Sequence, residues 1–153
     1  MSIIELGNNT YNLNCSAATP LLYKQLYKED FIRTNQRIRE LNQKQEKILK
    51  TLKAKNEGAD ENELKRIAVS DPDYMEVTIQ LNEIVEPMVQ QLAYIMYLEG
   101  TFKIDEIYQR LDMKKYIEFL LSVGPDEFKT KGKLILNLYN KNNNTSESNP
   151  KKD

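Results

Sequence analysis

Two long stretches with helical apolar spacing constrain this chain more than any other feature of its sequence. In the first, apolar side chains recur with near-heptad spacing at Phe31, Ile38, Leu41, Ile48 and Leu52. Because this spacing puts them on one side of a helix, we expect a helix from residue 31 to about Lys55, where Asn56-Glu57-Gly58 interrupts it. Fewer than four heptads, with polar residues in the seam, argue against an isolated coiled coil.

This apolar stripe has two possible uses. It can pack in the core of the domain, which is the commoner use, or it can receive or supply a helix in the recognition of a partner. Under the second interpretation the partner-binding residues are Phe31, Ile38, Leu41, Ile48 and Leu52.

The second long stretch covers residues 74–99. Its apolar side chains surround most of the helix toward its end, so that end belongs in the core. We expect Gly100-Thr101 to end this helix. Shorter amphipathic helices are predicted on either side, with Thr19 and Asp105 as N-caps of two of them and Pro20 in the first helical position.

The chain opens with two short segments of alternating apolar residues, 3–6 and 11–15, around Gly7-Asn8-Asn9-Thr10. Gly and Asn tolerate positive φ, so the pattern predicts a β-hairpin with Cys15 as a small buried strand residue. Two strands alone are marginally stable and need a helix across one face.

The predicted fold is therefore α+β and mainly α-helical. The hairpin, residues 3–15, packs on a bundle of about five to six helices, and residues 1–139 form a single domain. Residues 140–153 are almost entirely polar and contain no apolar anchor, so we expect a disordered C-terminal tail.

Composition excludes most site chemistry. The chain contains no histidine and one cysteine, so serine triads, Cys-His dyads and ordinary zinc sites are excluded. Glycine-rich phosphate motifs are missing too, and we predict a protein without catalytic, cofactor-binding or metal-binding residues. No apolar stretch is long enough to span a bilayer, and the first residues lack a secretion signal. One enzymatic alternative stays open, a divalent metal held by Asp71 and Asp73, although acids at these places are typical of helix starts.

Charge is unevenly distributed although the formal net charge is only -1. Residues 31–55 hold eight Lys or Arg and two Glu, whereas residues 57–106 hold twelve acids and three bases. A basic helix is typical of nucleic-acid binding, so a small DNA-binding or regulatory protein is the alternative function. Its phosphate contacts would come from Arg33, Arg37, Arg39, Lys44, Lys47 and Lys50.

The opening "LGNNTYNLNCSAATPLLYKQLYKEDFI" resembles that of the tail assembly chaperones of long-tailed phages and prophages of Gram-positive bacteria. In that family a short hairpin runs into a helix with the pattern Leu-x-(Phe/Tyr)-(Lys/Arg)-x-x-(Phe/Tyr)-(Gly/Lys)-x-Asp-(Phe/Ile/Leu). The matching positions are Gly7, Tyr11, Leu13, Leu21, Tyr23, Lys24, Tyr27, Asp30 and Phe31, about a fifth of the chain by extent. Lys28 stands where many relatives have Gly, and a lysine there permits an unbroken helix into the next segment.

The resemblance implies a function without catalysis. Such a protein binds the long, apolar, helical tape measure protein in many copies, keeps it soluble and promotes polymerisation of the tail tube around it. It acts in the host bacterial cytoplasm, is left out of the mature virion, and needs neither a membrane nor nucleic acid.

The resemblance also implies a longer form of the chain. Family members are often extended by a ribosomal frameshift near the end of the short form, and Pro150-Lys151-Lys152 can be encoded by a slippery A-rich run. The extension would recruit the major tail tube protein.

Overall fold

The computed structural model describes the backbone of residues 2–152 and the side chains of residues 2–124 and 126–141. Its described elements are a two-stranded antiparallel hairpin and seven helices, which confirms the mainly helical α+β fold. In chain order they are β1 Ser2–Leu6, β2 Asn9–Leu13, α1 Thr19–Tyr27, α2 Phe31–Lys55, α3 Glu61–Ser70, α4 Pro72–Thr101, α5 Ile104–Gln109, α6 Met113–Val123 and α7 Pro125–Lys152. None of the described helices has the length and apolarity needed to cross a bilayer.

The chain forms two compact units. The first, here called the hairpin unit, comprises Met1–Phe31 and Glu86–Asp153, and the second, the α3 unit, comprises Ile32–Val85. The single domain expected for residues 1–139 stays a prediction. The tail expected at 140–153 falls almost wholly on side chains outside the described part of the chain.

The hairpin has the predicted alternation. Register pairs Ile4 with Tyr11 and Leu6 with Asn9, and Gly7 makes the turn with φ +66°. Ile4, Leu6 and Leu13 are buried on one face, as a half-buried sheet requires. The expectation for Cys15 was wrong, because β2 ends at Leu13 and Cys15 lies half-buried beyond it.

A backbone contact attaches the hairpin to α4. The N–H of Asn14 donates to the carbonyl of Met96 at 3.0 Å. One turn further along, a Cβ on Gly100 would lie only 2.2 Å from the carbonyl oxygen of Asn12. The helix end expected at Gly100-Thr101 is confirmed, since α4 ends at Thr101. Gly100 itself lies inside the helix, and the close approach of β2 is what requires glycine there.

The start of α1 differs from the prediction. Thr19 is the first helical residue, with Ala18 as N-cap, so the expected capping by Thr19 was wrong. The Thr19 hydroxyl is fully buried, accepts from the N–H of Ser16 at 2.8 Å and donates to a carboxylate oxygen of Glu99. The hydroxyl of Ser16 donates to the other Glu99 oxygen at 2.6 Å. Tertiary hydrogen bonds have replaced the local cap.

The tyrosines of α1 belong to the core of the hairpin unit. Tyr23 is buried, and its ring lies 4.8 Å from that of Tyr27 and 5.1 Å from that of Phe31. Both hydroxyls donate to Gln91. The Tyr23 hydroxyl donates to its side-chain oxygen, and the Tyr27 hydroxyl donates to its backbone carbonyl at 2.9 Å. Burial raises the pKa of both phenols well above the usual value, so they stay neutral donors at physiological pH. These matched positions of the resemblance are therefore packing positions.

Lys28 breaks the chain between α1 and α2. It has φ +61°, the only positive value at a described residue other than glycine, and its N–H donates to the carbonyl of Lys24 at 2.9 Å. This is the left-handed conformation that ends many helices and that glycine adopts most easily. The unbroken helix that a lysine permits at this position does not form.

The α5 N-terminus also differs from the prediction. Lys103 is the N-cap and makes no side-chain cap hydrogen bond, whereas Asp105 lies in the first turn. The negative charge of Asp105 still stabilises the N-terminus of α5, because the positive ends of the peptide dipoles point toward it.

We predict opposite effects for the same substitution at two helical glycines. Gly100→Ala should destabilise the protein by about 1–3 kcal/mol, because the new methyl group meets backbone of the hairpin that cannot move aside. Gly132→Ala should stabilise it by about 0.5–1 kcal/mol, because alanine favours helix and the nearest atoms, on Val89, are at an ordinary 3.5 Å. Thermal unfolding followed by circular dichroism measures both effects. Equal shifts of the unfolding temperature in the two variants would contradict the close contact between Gly100 and the hairpin.

We also predict that Lys28→Gly stabilises the protein by about 0.5–1 kcal/mol. The left-handed conformation costs a lysine roughly 1–2 kcal/mol, and glycine avoids this cost. Part of the gain is lost because glycine has more conformational entropy in the unfolded chain. Lys24→Gly is the matched control, since Lys24 is also exposed but lies inside α1, where glycine should cost about 1 kcal/mol. If the unfolding midpoint falls for both variants, the left-handed conformation of Lys28 is not strained.

Candidate partner-binding surfaces

Most of the apolar stripe predicted on α2 is buried by the rest of the chain. Phe31, Ile38 and Leu41 are buried. Phe31 is in the ring cluster of the hairpin unit, 4.8 Å from the ring of Tyr139. Ile48 and Leu52 are half-buried. The first three side chains act as core residues, and only the last two keep surface that a partner can touch.

A polar member of the α2 seam has a structural explanation within the α3 unit. Gln45 is half-buried, and its side-chain amide donates to the hydroxyl of Thr78 on α4 at 2.9 Å. A buried amide without a partner would be costly, so this hydrogen bond fixes where α2 and the first part of α4 meet.

The basic side of α2 faces solvent. The six side chains named for phosphate contact are all exposed: Arg33, Arg37, Arg39, Lys44, Lys47 and Lys50. Arg37 lies 3.6 Å from Glu40, an exposed pair that contributes little to stability. The surface needed for the DNA-binding alternative is thus accessible.

Of the two acidic residues considered as metal ligands, Asp71 caps a helix, as Asp60 does, and Asp73 lies in the first turn of α4. Asp60 accepts a hydrogen bond from the N–H of Glu63 at 2.8 Å, and Asp71 from that of Tyr74 at 2.9 Å. Each satisfies a donor in the first turn of a helix, α3 and α4 respectively. Among the described residues, no group of three or more acidic or cysteine side chains is placed to hold a metal ion.

An apolar row on α6 is the most conspicuous exposed feature of the hairpin unit. Met113, Ile117 and Leu121 recur every four residues on one side of the helix and are 47%, 50% and 79% exposed. The preceding helix α5 has a similar pair, Ile104 and Tyr108, also four residues apart and exposed. We call Met113, Ile117 and Leu121 the α6 row.

The α6 row is not needed to hold α6 in place. A different side of the helix carries Tyr116, Phe119 and Val123, all buried. The N-terminus of α6 is capped by Asp112, which accepts from the N–H of Lys114 at 2.7 Å. Burial of one side and a satisfied cap therefore fix the helix, while the α6 row stays in solvent.

Sequence reasoning missed this surface. Ile117 and Leu121 were grouped with Tyr116 and Leu120 as one apolar stretch, because their spacing alone does not say which side is buried. The available signal was that apolar residues of α6 cover more of the helix than one buried face requires. Lys114 and Glu118, both exposed, border the α6 row and give it a polar edge.

The chain matches no protein-family model, no curated protein and no solved structure.

Proposed function

We propose that this chain is a phage tail assembly chaperone. It binds the tape measure protein in the host bacterial cytoplasm, keeps that protein soluble, and promotes tail tube polymerisation without catalysing a reaction. The observation that carries the proposal is the α6 row, an apolar surface that the fold leaves in solvent. The resemblance of residues 6–32 to the family supplies the identity of the partner.

The spacing of the α6 row suits a helical partner. Side chains four apart form a ridge along a helix, and such a ridge packs into the groove between side-chain ridges of another helix. The α6 row extends about 12 Å, at a rise of about 1.5 Å per residue. A contact this short binds weakly, which fits a helper present in many copies that must leave before the tube closes.

The backbone at Lys28 gives independent support for the resemblance. Many relatives have glycine at this place, and here the chain adopts the left-handed conformation that glycine favours. The glycine of the family pattern thus suits the backbone conformation found between α1 and α2. The α2 stripe contributes to the proposal through Ile48 and Leu52, which are still partly accessible.

Co-expression with a fragment of the tape measure protein of the same phage tests the proposal. We expect the wild-type chain to raise the soluble yield of the fragment severalfold. The double variant Ile117→Lys/Leu121→Lys should bind about tenfold more weakly, because two exposed apolar contacts of about 1 kcal/mol or less each are lost.

The matched control is Ile3→Lys/Leu21→Lys, which places the same charges at positions 72% and 71% exposed outside the α6 row. It should keep the wild-type effect. Equal losses in the two double variants would remove the α6 row as the docking surface. A wild-type chain that leaves the fragment insoluble would refute the chaperone function itself.

A second candidate function is DNA binding, which the exposed basic side of α2 favours. Binding through phosphates would weaken steeply between about 50 mM and about 200 mM salt, since each contact releases a counterion. A mobility shift on duplex DNA that Arg37→Glu/Lys44→Glu abolishes would establish this function. A duplex that does not shift even at low salt would eliminate it.

A further inference from the structure

A cleft of about 300 Å³ opens on the surface of the hairpin unit beside α6. Its volume is at the lower end of the range of small-molecule sites. Aromatic rings form its walls: Tyr11, Tyr94, Tyr97, Phe102 and Phe119. Charged side chains line it as well, namely Arg110, Lys115 and Glu118.

The aromatic walls hold one another in place. The rings of Tyr97 and Phe119 are stacked 5.3 Å apart, and Tyr11 meets both edge-on at 5.3 and 5.5 Å. Phe102 contacts Tyr97 edge-on at 5.7 Å. Each ring is thereby restricted in its rotation, so the cleft exists before a ligand arrives, and a planar group can enter without reordering side chains.

Two contacts position Arg110 at this cleft, one to its backbone and one to its guanidinium. The Tyr94 hydroxyl donates to its backbone carbonyl at 2.7 Å, and burial raises the pKa of Tyr94 to about 12, so this donor persists at neutral pH. The guanidinium lies over the Phe102 ring, with 4.1 Å between its central carbon and the ring centroid. This cation–π contact holds the cation without neutralising its charge.

The two cations of the cleft lack acidic partners. Neither Arg110 nor Lys115 forms an ion pair with a described side chain, and Glu118 lines the cleft without pairing to them. The Nε of Arg110 is buried without a hydrogen-bond partner in the described part of the chain. Leaving such a donor unsatisfied is costly, so the arginine is held here at some expense in stability.

We propose that this cleft binds a carboxylate carried on an aromatic body. The guanidinium and the Lys115 ammonium receive the carboxylate, and the rings pack against the body. A carboxylate fits better than a phosphate dianion, because Glu118 leaves the cleft with a net charge of only one positive unit. The ligand is a free aromatic acid or the C-terminal aromatic residue of a protein chain, since both present this chemistry.

Nuclear magnetic resonance titration of the full chain tests the site. We expect N-acetyl-phenylalanine, which mimics a C-terminal residue, to shift the amide signals of Arg110, Lys115 and Ser122 saturably, with a Kd on the order of 1 mM. N-acetyl-phenylalanine amide lacks the charge and acetate lacks the ring, so both should bind at least about tenfold more weakly. Benzoate separates the two sources, because it binds comparably only if a free aromatic acid suffices.

Neighbouring lysines on α6 provide a matched pair of variants. Lys115→Gln removes a cation that lines the cleft, whereas Lys114→Gln removes an equally exposed one that does not. The first should weaken N-acetyl-phenylalanine about tenfold, and the second should leave its affinity unchanged. The proposal is overturned if the amide binds as tightly as the acid, if no ligand shifts these signals, or if the two variants behave alike.

Discussion

A single turn of α4 holds the opening of the chain. Met96 accepts a hydrogen bond from the backbone after β2, Glu99 accepts from two hydroxyls at and just before the start of α1, and Gly100 admits the β2 backbone at close range. These three residues share one face of the helix, because they are three and four positions apart. Two short strands that would be marginal alone thereby gain a fixed support, and the aromatic core is assembled around it.

The helices differ in how completely they are buried. The last part of α4 is apolar on almost every side, and eight of the eleven residues 88–98 are buried, the other three half-buried. In contrast, α6 buries one face and keeps the α6 row in solvent. Exposed apolar surface lowers solubility, so a chain gains nothing from it unless something binds there. This surplus on α6, together with the resemblance of the opening, favours a partner-binding function over a catalytic one.

Much of the fold was predictable because its determinants are local. Apolar spacing and breakers placed the end of α2 at Lys55, the end of α4 at Gly100-Thr101 and the hairpin turn at Gly7. The local pattern was wrong at Thr19, whose hydroxyl donates to the distant Glu99 while Ala18 is the N-cap of α1. It also did not predict that Lys28 adopts a backbone conformation that its side chain disfavours.

The candidate surfaces were harder to predict than the fold. Periodicity finds an apolar face but does not say whether the chain covers it. Phe31, Ile38 and Leu41 were plausible partner contacts and are buried, whereas Ile117 and Leu121 were not singled out and are exposed. The cleft beside α6 combines residues from β2, α4 and α6, and no spacing in the sequence brings these together.

The hairpin unit is assembled from two separate pieces of the chain, since Ile32–Val85 belongs to the other unit. During translation the first 31 residues therefore leave the ribosome before the turn of α4 that supports them has been made. At about 5–20 residues per second this interval lasts on the order of several seconds. Throughout it, the nascent strands and the tyrosines of α1 lack their native cover, because the residues that bury them have not yet been synthesised.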